Sequence, residues 1–220
     1  MLLAAAVRAS AADAKAPAGK LVHATGDVTI GSGSGGRLGK TGSSVENGDS
    51  VTTGDASTAV VQLPDGSRVK LRAGTRAVVT WPGPKNDSLT EVFLSVGSAF
   101  AKVTKRLAGQ KFQVRTPTAV AAVRGTEFFT AYGRPRGKDK DLWVCVNEGS
   151  VELTASASKK PLVVPAGQGV LIKGGRSLTK PQEYDWTKKL NWNMDEAGGD
   201  LEDKTNLDAA YSDLLDQDYR

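Results

Sequence analysis

Over residues 20–173 apolar and polar positions alternate in short runs, and most runs open on a glycine. Gly26-Asp27-Val28-Thr29-Ile30 sets the pattern. It recurs at Gly48-Asp49-Ser50-Val51, Gly66-Ser67-Arg68-Val69-Lys70-Leu71, Gly97-Ser98-Ala99-Phe100 and Gly125-Thr126-Glu127-Phe128. Two further instances are Gly149-Ser150-Val151-Glu152-Leu153 and Gly167-Gln168-Gly169-Val170-Leu171-Ile172. A period of two turns one face inward and predicts strands. These glycines stand 18 to 31 residues apart, a quasi-repetition without a fixed period. Asp141-Leu142-Trp143-Val144-Cys145-Val146 is apolar on both faces and predicts a central strand. The fold class expected is all-β: a solenoid-like or sandwich-like body of short strands punctuated by glycine. Pro64-Asp65-Gly66 is a turn by its chemistry. Loops are expected over 81–87 and over the basic stretch 133–141.

Beyond Pro181 the pattern changes. Leu207, Ala210, Tyr211, Leu214 and Leu215 fall at i, i+3, i+4, i+7 and i+8, an amphipathic helix stripe within 205–218. Thr205 and Asp208 resemble a capping box with a shorter acid. Trp186, Leu190, Trp192 and Met194 precede it. The organisation expected is therefore a leader and linker over 1–19, an all-β domain over 20–175 and a partly helical tail over 176–220.

Charge sharpens that division. The 220-residue chain carries a net +5, yet residues 181–220 hold eleven acids against four bases, or −7, leaving +12 on residues 1–180. A short helix with an apolar stripe needs a surface to bury it. The tail can fold back on the basic body, dock on a partner or stay disordered. Arg134, Arg136, Lys138 and Lys140 form a basic loop, with further bases at Lys102, Lys105, Arg106, Lys111, Arg115, Lys159 and Lys160. No nucleic-acid motif accompanies them and aromatics do not interleave with the bases, so an anionic envelope polymer, anionic lipid or acidic protein surface fits better. Residues 1–14, MLLAAAVRASAADA, end in Ala12-Asp13-Ala14, as signal-peptidase sites do. Their short apolar run reads as the tail of a longer export signal or as an alanine-rich leader. It is too short to span a bilayer.

Composition limits the chemistry. One Cys and one His exclude an internal disulfide, a multi-Cys metal site and paired-His metal motifs. No metal site or cofactor is expected, and no D-x-D-x-D-G loop is present. A serine triad would have to use His23, which lies in an early strand-like run. Asp49, Asp65, Glu127 and Glu148 all sit beside glycine in turn motifs, where Asp usually bonds its own backbone. No catalytic residue is assigned. Gly125 is expected at a strand corner flanked by Arg124 and Glu127, which pair with each other or with a neighbouring rung.

Four motifs within 44–172 resemble a FecR-type domain. They are Gly48-Asp49-Ser50-Val51-Thr52-Thr53-Gly54; Leu63-Pro64-Asp65-Gly66-Ser67; Thr116-Pro117-Thr118-Ala119 through Val123-Arg124-Gly125-Thr126-Glu127-Phe128; and Glu148-Gly149-Ser150-Val151 with Pro165-Ala166-Gly167-Gln168. The third is the most specific. The resemblance implies an all-β periplasmic domain without enzymatic activity, one that in well-known members relays a transporter's state to a sigma factor. Those regulators place a cytoplasmic sigma-binding segment and a membrane helix before the domain; here about 40 residues precede it, none expected to span a membrane, so direct anti-sigma activity is not expected of this chain as it stands. The expectation is a stand-alone exported FecR-domain protein with an envelope protein partner. Its contact residues would be Arg134, Arg136, Lys138, Lys140, Trp186, Trp192, Leu207, Tyr211 and Leu214. Binding of an anionic cell-wall glycan and carboxylate-dependent glycan hydrolysis are the alternatives.

Overall fold

The computed structural model describes residues 17–31, 35–82, 88–104, 110–133, 141–158 and 160–216. Their strands are β1 (Gly19–Thr25), β2 (Val28–Gly31), β3 (Arg37–Leu38), β4 (Ser44–Val45), β5 (Ser50–Thr53) and β6 (Thr58–Gln62). Next come β7 (Arg68–Leu71), β8 (Arg76–Thr80), β9 (Leu89–Lys102), β10 (Lys111–Arg115), β11 (Ala119–Val123) and β12 (Glu127–Tyr132). The last are β13 (Leu142–Glu148), β14 (Ser150–Ala155), β15 (Leu162–Pro165), β16 (Gln168–Lys173), β17 (Ser177–Leu178) and β18 (Gln182–Glu183). Helix α1 (Asp185–Lys189), a 3-10 turn (Glu196–Gly198) and helix α2 (Leu207–Asp216) follow. The all-β body with a short helical tail is as the sequence predicts.

Hydrogen bonding links the strands into one mixed sheet with two halves. One half runs β4-β1-β6-β7-β9-β12-β13-β16, with β17 and β18 on the outside of β16. The other runs β3-β2-β5-β8-β9-β10-β11-β14-β15. The chain shuttles between the halves as it advances, and the two halves share one core. Among the described residues the strand pairings are antiparallel except β9 with β10. Both halves contribute to one core: Leu21, Val61, Leu71, Phe128 and Val144 from the first, Ile30, Val51, Leu94, Phe112 and Leu153 from the second.

β9 joins the halves. Its first part pairs with β8 and β10, its last part with β7 and β12. Gly97, at φ +92°, sits at the change of partner. A side chain there would meet the Gly74 carbonyl oxygen at 2.8 Å, so the bend requires glycine. The other six run-opening glycines, Gly26, Gly48, Gly66, Gly125, Gly149 and Gly167, also take positive φ. The repeated glycine is thus a turn signal.

Two local expectations are corrected. Trp81 is not part of an exposed loop: it is 7% exposed, joins the core and donates from Nε1 to the Pro17 carbonyl at 3.1 Å. Residues 83–87 of that loop lie outside the described residues. The cap of α2 is Asn206, whose Oδ1 accepts from Ala209 N at 3.0 Å. Thr205 instead donates its hydroxyl to Lys189 O and Asp203 Oδ1.

Candidate protein-interaction surface

Alternation fails in the middle of the first half. Every residue of β12 is buried, as are Leu142–Val146 of β13. One face of these strands fills the common core; the other needs its own cover. The tail supplies it. Phe100, Phe129, Ala131, Trp143, Cys145 and Leu171 on the outer sheet face pack with Tyr184, Leu190, Met194, Leu207, Ala210, Tyr211 and Leu214. Residues 184–214 thus lie across the sheet as a strap, which selects folding back on the body from the sequence's three alternatives.

The cover is aromatic at its centre. Trp192 meets Phe100 edge-on at 5.3 Å, Phe100 meets Phe129 at 4.7 Å, Phe129 meets Trp143 at 5.3 Å, and Trp143 meets Tyr211 at 6.4 Å. These tilted and T-shaped arrangements are the favourable ones for aromatic pairs. Tyr211 donates its hydroxyl to Ala131 O at 3.0 Å, tying α2 to an interior strand. Trp186 and Trp192 pack half-buried at the margin, with Trp186 Nε1 on Asp213 and Trp192 Nε1 on Thr187 O.

The polar half of the contact rests on three cations. Arg68, Lys70 and Arg72 are spaced by two, so they project from one face of β7 and its exit. Arg68 Nη1 donates to Met194 O at 3.0 Å and Asp195 Oδ2 at 2.8 Å. Lys70 is fully buried, and its Nζ donates to Asn191 O and Asn193 O, each at 2.6 Å, while lying 4.3 Å above the Phe100 ring. Arg72 Nη2 donates to Asp203 O at 2.9 Å and Thr205 O at 2.7 Å. Its Nε faces the buried Asp203 carboxylate at 3.1 Å, an ion pair set off the hydrogen-bonding direction.

Five of these acceptors are main-chain carbonyls. The carbonyls converge because Asn191 and Asn193 brace the loop: their side-chain amides donate to Asp200 O and Glu202 O, and to Gly199 O and Asp200 O. Asp203 Oδ1 accepts from Asn191 N, closing the loop beside Arg72. His23 adds a contact at the far side, Nδ1 to Glu196 Oε1 at 2.6 Å. Burial pulls the Lys70 ammonium down to about 8, with Asp203 opposing. Burial also lowers Arg72, again against Asp203. The hydrogen bond from Arg68 holds Asp195 below the usual carboxylate range. Burial pushes the Cys145 thiol up, so beneath the strap it packs as an apolar group.

The strap leaves one gap. A cavity of about 580 Å3 lies where α2 begins, bounded by body residues including Asp55, Ala56, Arg72 and Val96 and by strap residues Glu202 and Leu207.

The remaining sequence-selected residues serve turns and strand ends. Asp49 Oδ2 accepts from Glu46 N, and Asp65 accepts from both Ser67 N and its hydroxyl. Thr53 Oγ1 donates to Arg72 O and accepts from Thr75 N; Gly54 N donates to Asp27 O. Thr116, before Pro117, closes its turn by accepting from Ala119 N, and Thr126 donates to Ser150 O. Arg124 is exposed beside Gly125, while Glu127 pairs with Lys102 of β9 at 3.2 Å and accepts from Asn147, which settles the open pairing of Glu127. Phe128 and Val151 fill the common core. Glu148 is exposed beside Gly149, and Gln168 pairs β16 to Glu183 after Gly167. Arg134, Arg136, Lys138 and Lys140 lie outside the described residues, as do Lys105, Arg106 and Lys159. Among the described residues no group of three or more His, Cys, Asp or Glu is placed to hold a metal ion, and no helix is long and apolar enough to cross a membrane.

Sequence reasoning missed Arg68, Lys70 and Arg72 as a set. Their alternation with Val69 and Leu71 reads as a solvated outer face. The available signal was the −7 tail set against the +12 body.

Residues 49–152 match the family model described as FecR protein. Two solved structures, each described as a "putative anti-sigma factor from Parabacteroides distasonis ATCC 8503", resemble this chain at 22% identity. One has a TM-score of 0.54 and spans 75% of this chain and 72% of its own; the other has 0.53, with 76% and 75%. No curated protein matches. At that identity the two structures support the fold.

Proposed function

We propose that this chain, whose residues 49–152 form a FecR-type domain, is a non-enzymatic signalling or assembly module of the bacterial cell envelope, exported and acting through contacts with another protein. Supporting this reading is the way its buried cations are used. Arg68, Lys70 and Arg72 each grip polypeptide carbonyls of the strap. Asp49, Asp65 and Glu127, three of the four carboxylates a hydrolase would draw on, are held in their own turns or in a pair with Lys102; the fourth, Glu148, is exposed beside Gly149. The β body acts as scaffold, and the basic surface and acidic tail bring charge to the encounter. In-cell crosslinking of the full chain, with fractionation, tests this. Recovery in the envelope fraction joined to an envelope protein is expected. Cytoplasmic recovery, or an uncrosslinked monomer, overturns it.

The anionic-glycan alternative rests on the sequence of Arg134, Arg136, Lys138 and Lys140. Co-sedimentation with purified cell wall that is abolished when all four are replaced by Gln would favour it over a protein partner.

A further inference from the structure

The strap behaves as a ligand for the sheet beneath it. Five of its polar contacts with Arg68, Lys70 and Arg72 are made through main-chain carbonyls, so the three cations recognise the path of a chain as well as its side chains. Side-chain selection comes from the aromatic row, which accepts Leu190, Met194, Leu207, Tyr211 and Leu214. Charge matches as well: residues 181–220 carry a net −7 against a net +12 on residues 1–180. Any segment that combines acidic residues, an extended stretch and an apolar helix face satisfies the same surface.

The resident strap is not the best such segment. The cavity of about 580 Å3 under the start of α2 is large enough for several side-chain groups, and Leu207 does not fill it. An unfilled apolar contact forfeits dispersion energy that a bulkier side chain would recover. Apart from the strap's own Glu202, Asp203, Leu207 and Asp208, this cavity is lined by Ala56, Ala73 and Val96 and by small polar residues, Asp55 and Arg72. The apolar part of that lining takes an aliphatic or aromatic group. Covering Lys70 and Arg72 also removes two cations from water, a cost that closure must offset.

We propose that the outer face formed by β7, β9, β12, β13 and β16 is a docking surface for an acidic, partly helical segment of a partner protein, and that residues 184–216 are its resident, displaceable occupant. This rests on the reading of the chain as a protein-interaction module and names the chemistry of the partner. The tether gives the resident strap an effective concentration that can reach the millimolar range. A partner therefore competes only with better apolar filling at the Leu207 position or with high local abundance.

The test uses the full chain and three fluorescent peptides: residues 184–216, the same peptide with Leu207→Phe, and a control with its acids replaced by Lys. Anisotropy reads binding, and hydrogen exchange reads release of the resident strap. A Tyr211→Ala variant of the full chain, checked for an intact body by circular dichroism, loosens the resident. The Leu207→Phe peptide should bind at least about tenfold tighter than its parent, as burying more apolar surface in that cavity predicts. Its binding should speed exchange across residues 191–214, and Tyr211→Ala should strengthen binding of both acidic peptides. If neither acidic peptide binds even to the loosened chain, the surface is not a docking site. Equal binding of the lysine-substituted control would show non-specific adhesion and overturn the proposal. A crosslinked envelope partner mapped to another surface, such as the edge strand β15, would leave the general reading standing and remove this one.

Discussion

Lys70 offers a quantitative check on the strap. Its ammonium is buried between β7 and the loop 191–203, with its titration lowered from 10.5 to about 8. Asp203 opposes that burial most, Arg72 adds to the lowering, and Glu127 and Asp200 oppose it less. A lysine whose folded value is depressed binds fewer protons than its unfolded counterpart between pH 8 and 10.5. Folding stability therefore rises with pH across that window as far as Lys70 is concerned. At about 1.4 kcal/mol per unit the rise approaches about 3 kcal/mol. Other groups act in the same range: Cys145 and Tyr132 are both raised by burial, and each lowers stability as the unfolded thiol and phenol ionise. Comparison with Lys70→Met removes them, since they titrate alike in both proteins. The offset between the two at neutral pH mixes a relieved burial cost with two carbonyls left without a donor, each costing about 1–3 kcal/mol. The slope does not mix them. Urea unfolding followed by tryptophan fluorescence from neutral pH to pH 10.5 should show the wild-type advantage growing by about 2–3 kcal/mol. A difference that stays flat refutes the buried, charged Lys70 and with it the close seat of the strap.

Three further outcomes follow from the same geometry. Ending the chain at residue 180 uncovers Phe100, Phe129, Trp143 and Leu171, each worth roughly 1.5–3 kcal/mol of burial; Tm should fall sharply by calorimetry, and an unchanged Tm would mean the strap contributes nothing. Gly97→Ala forces a positive φ on alanine and drives its Cβ against the Gly74 carbonyl, which should cost at least about 2 kcal/mol in chemical denaturation, whereas near-neutral behaviour would deny the bend in β9. The hydrogen bond from Arg115 holds Glu91 below the ordinary carboxylate range, so the pair stabilises above the unfolded value of 4.5 and that contribution is lost as pH falls through the lower folded value. Arg115→Gln should flatten the acid limb of the stability profile, and an unaltered limb would show the pair to be inert.

The fold was largely readable because its signals are local. A glycine at positive φ followed by alternating β-branched residues specifies a turn and a strand without reference to the rest of the chain, and all seven run-opening glycines behave so. Pairing was not readable in the same way. Nothing in Leu89–Lys102 announces that one strand serves both halves; that follows from Gly97 meeting Thr75, a contact made across the fold. Trp81 was misplaced for a related reason. The prolines and glycine around it mark a loop, but its indole is claimed by the core and by Pro17 O, and neither is near in sequence.

The candidate surface was legible only in halves. The stripe from Leu207 to Leu214 and the tail's negative charge were both visible, and each demands a complement. The complement on β7 was hidden by its own regularity. Arg68-Val69-Lys70-Leu71-Arg72 is what a half-solvated strand looks like, and a fully buried lysine cannot be told from an exposed one by spacing. What distinguishes it is the neighbouring strands. β12 and the first five residues of β13 are buried on both faces, which requires both faces to be covered. Once something must lie across β12 and β13, it also passes over the adjoining strands β9 and β7, and the cations there must meet acceptors. The acceptors are main-chain carbonyls held together by Asn191 and Asn193, so the surface is written for a chain path rather than for a unique sequence, and a second chain with the same path is its natural competitor.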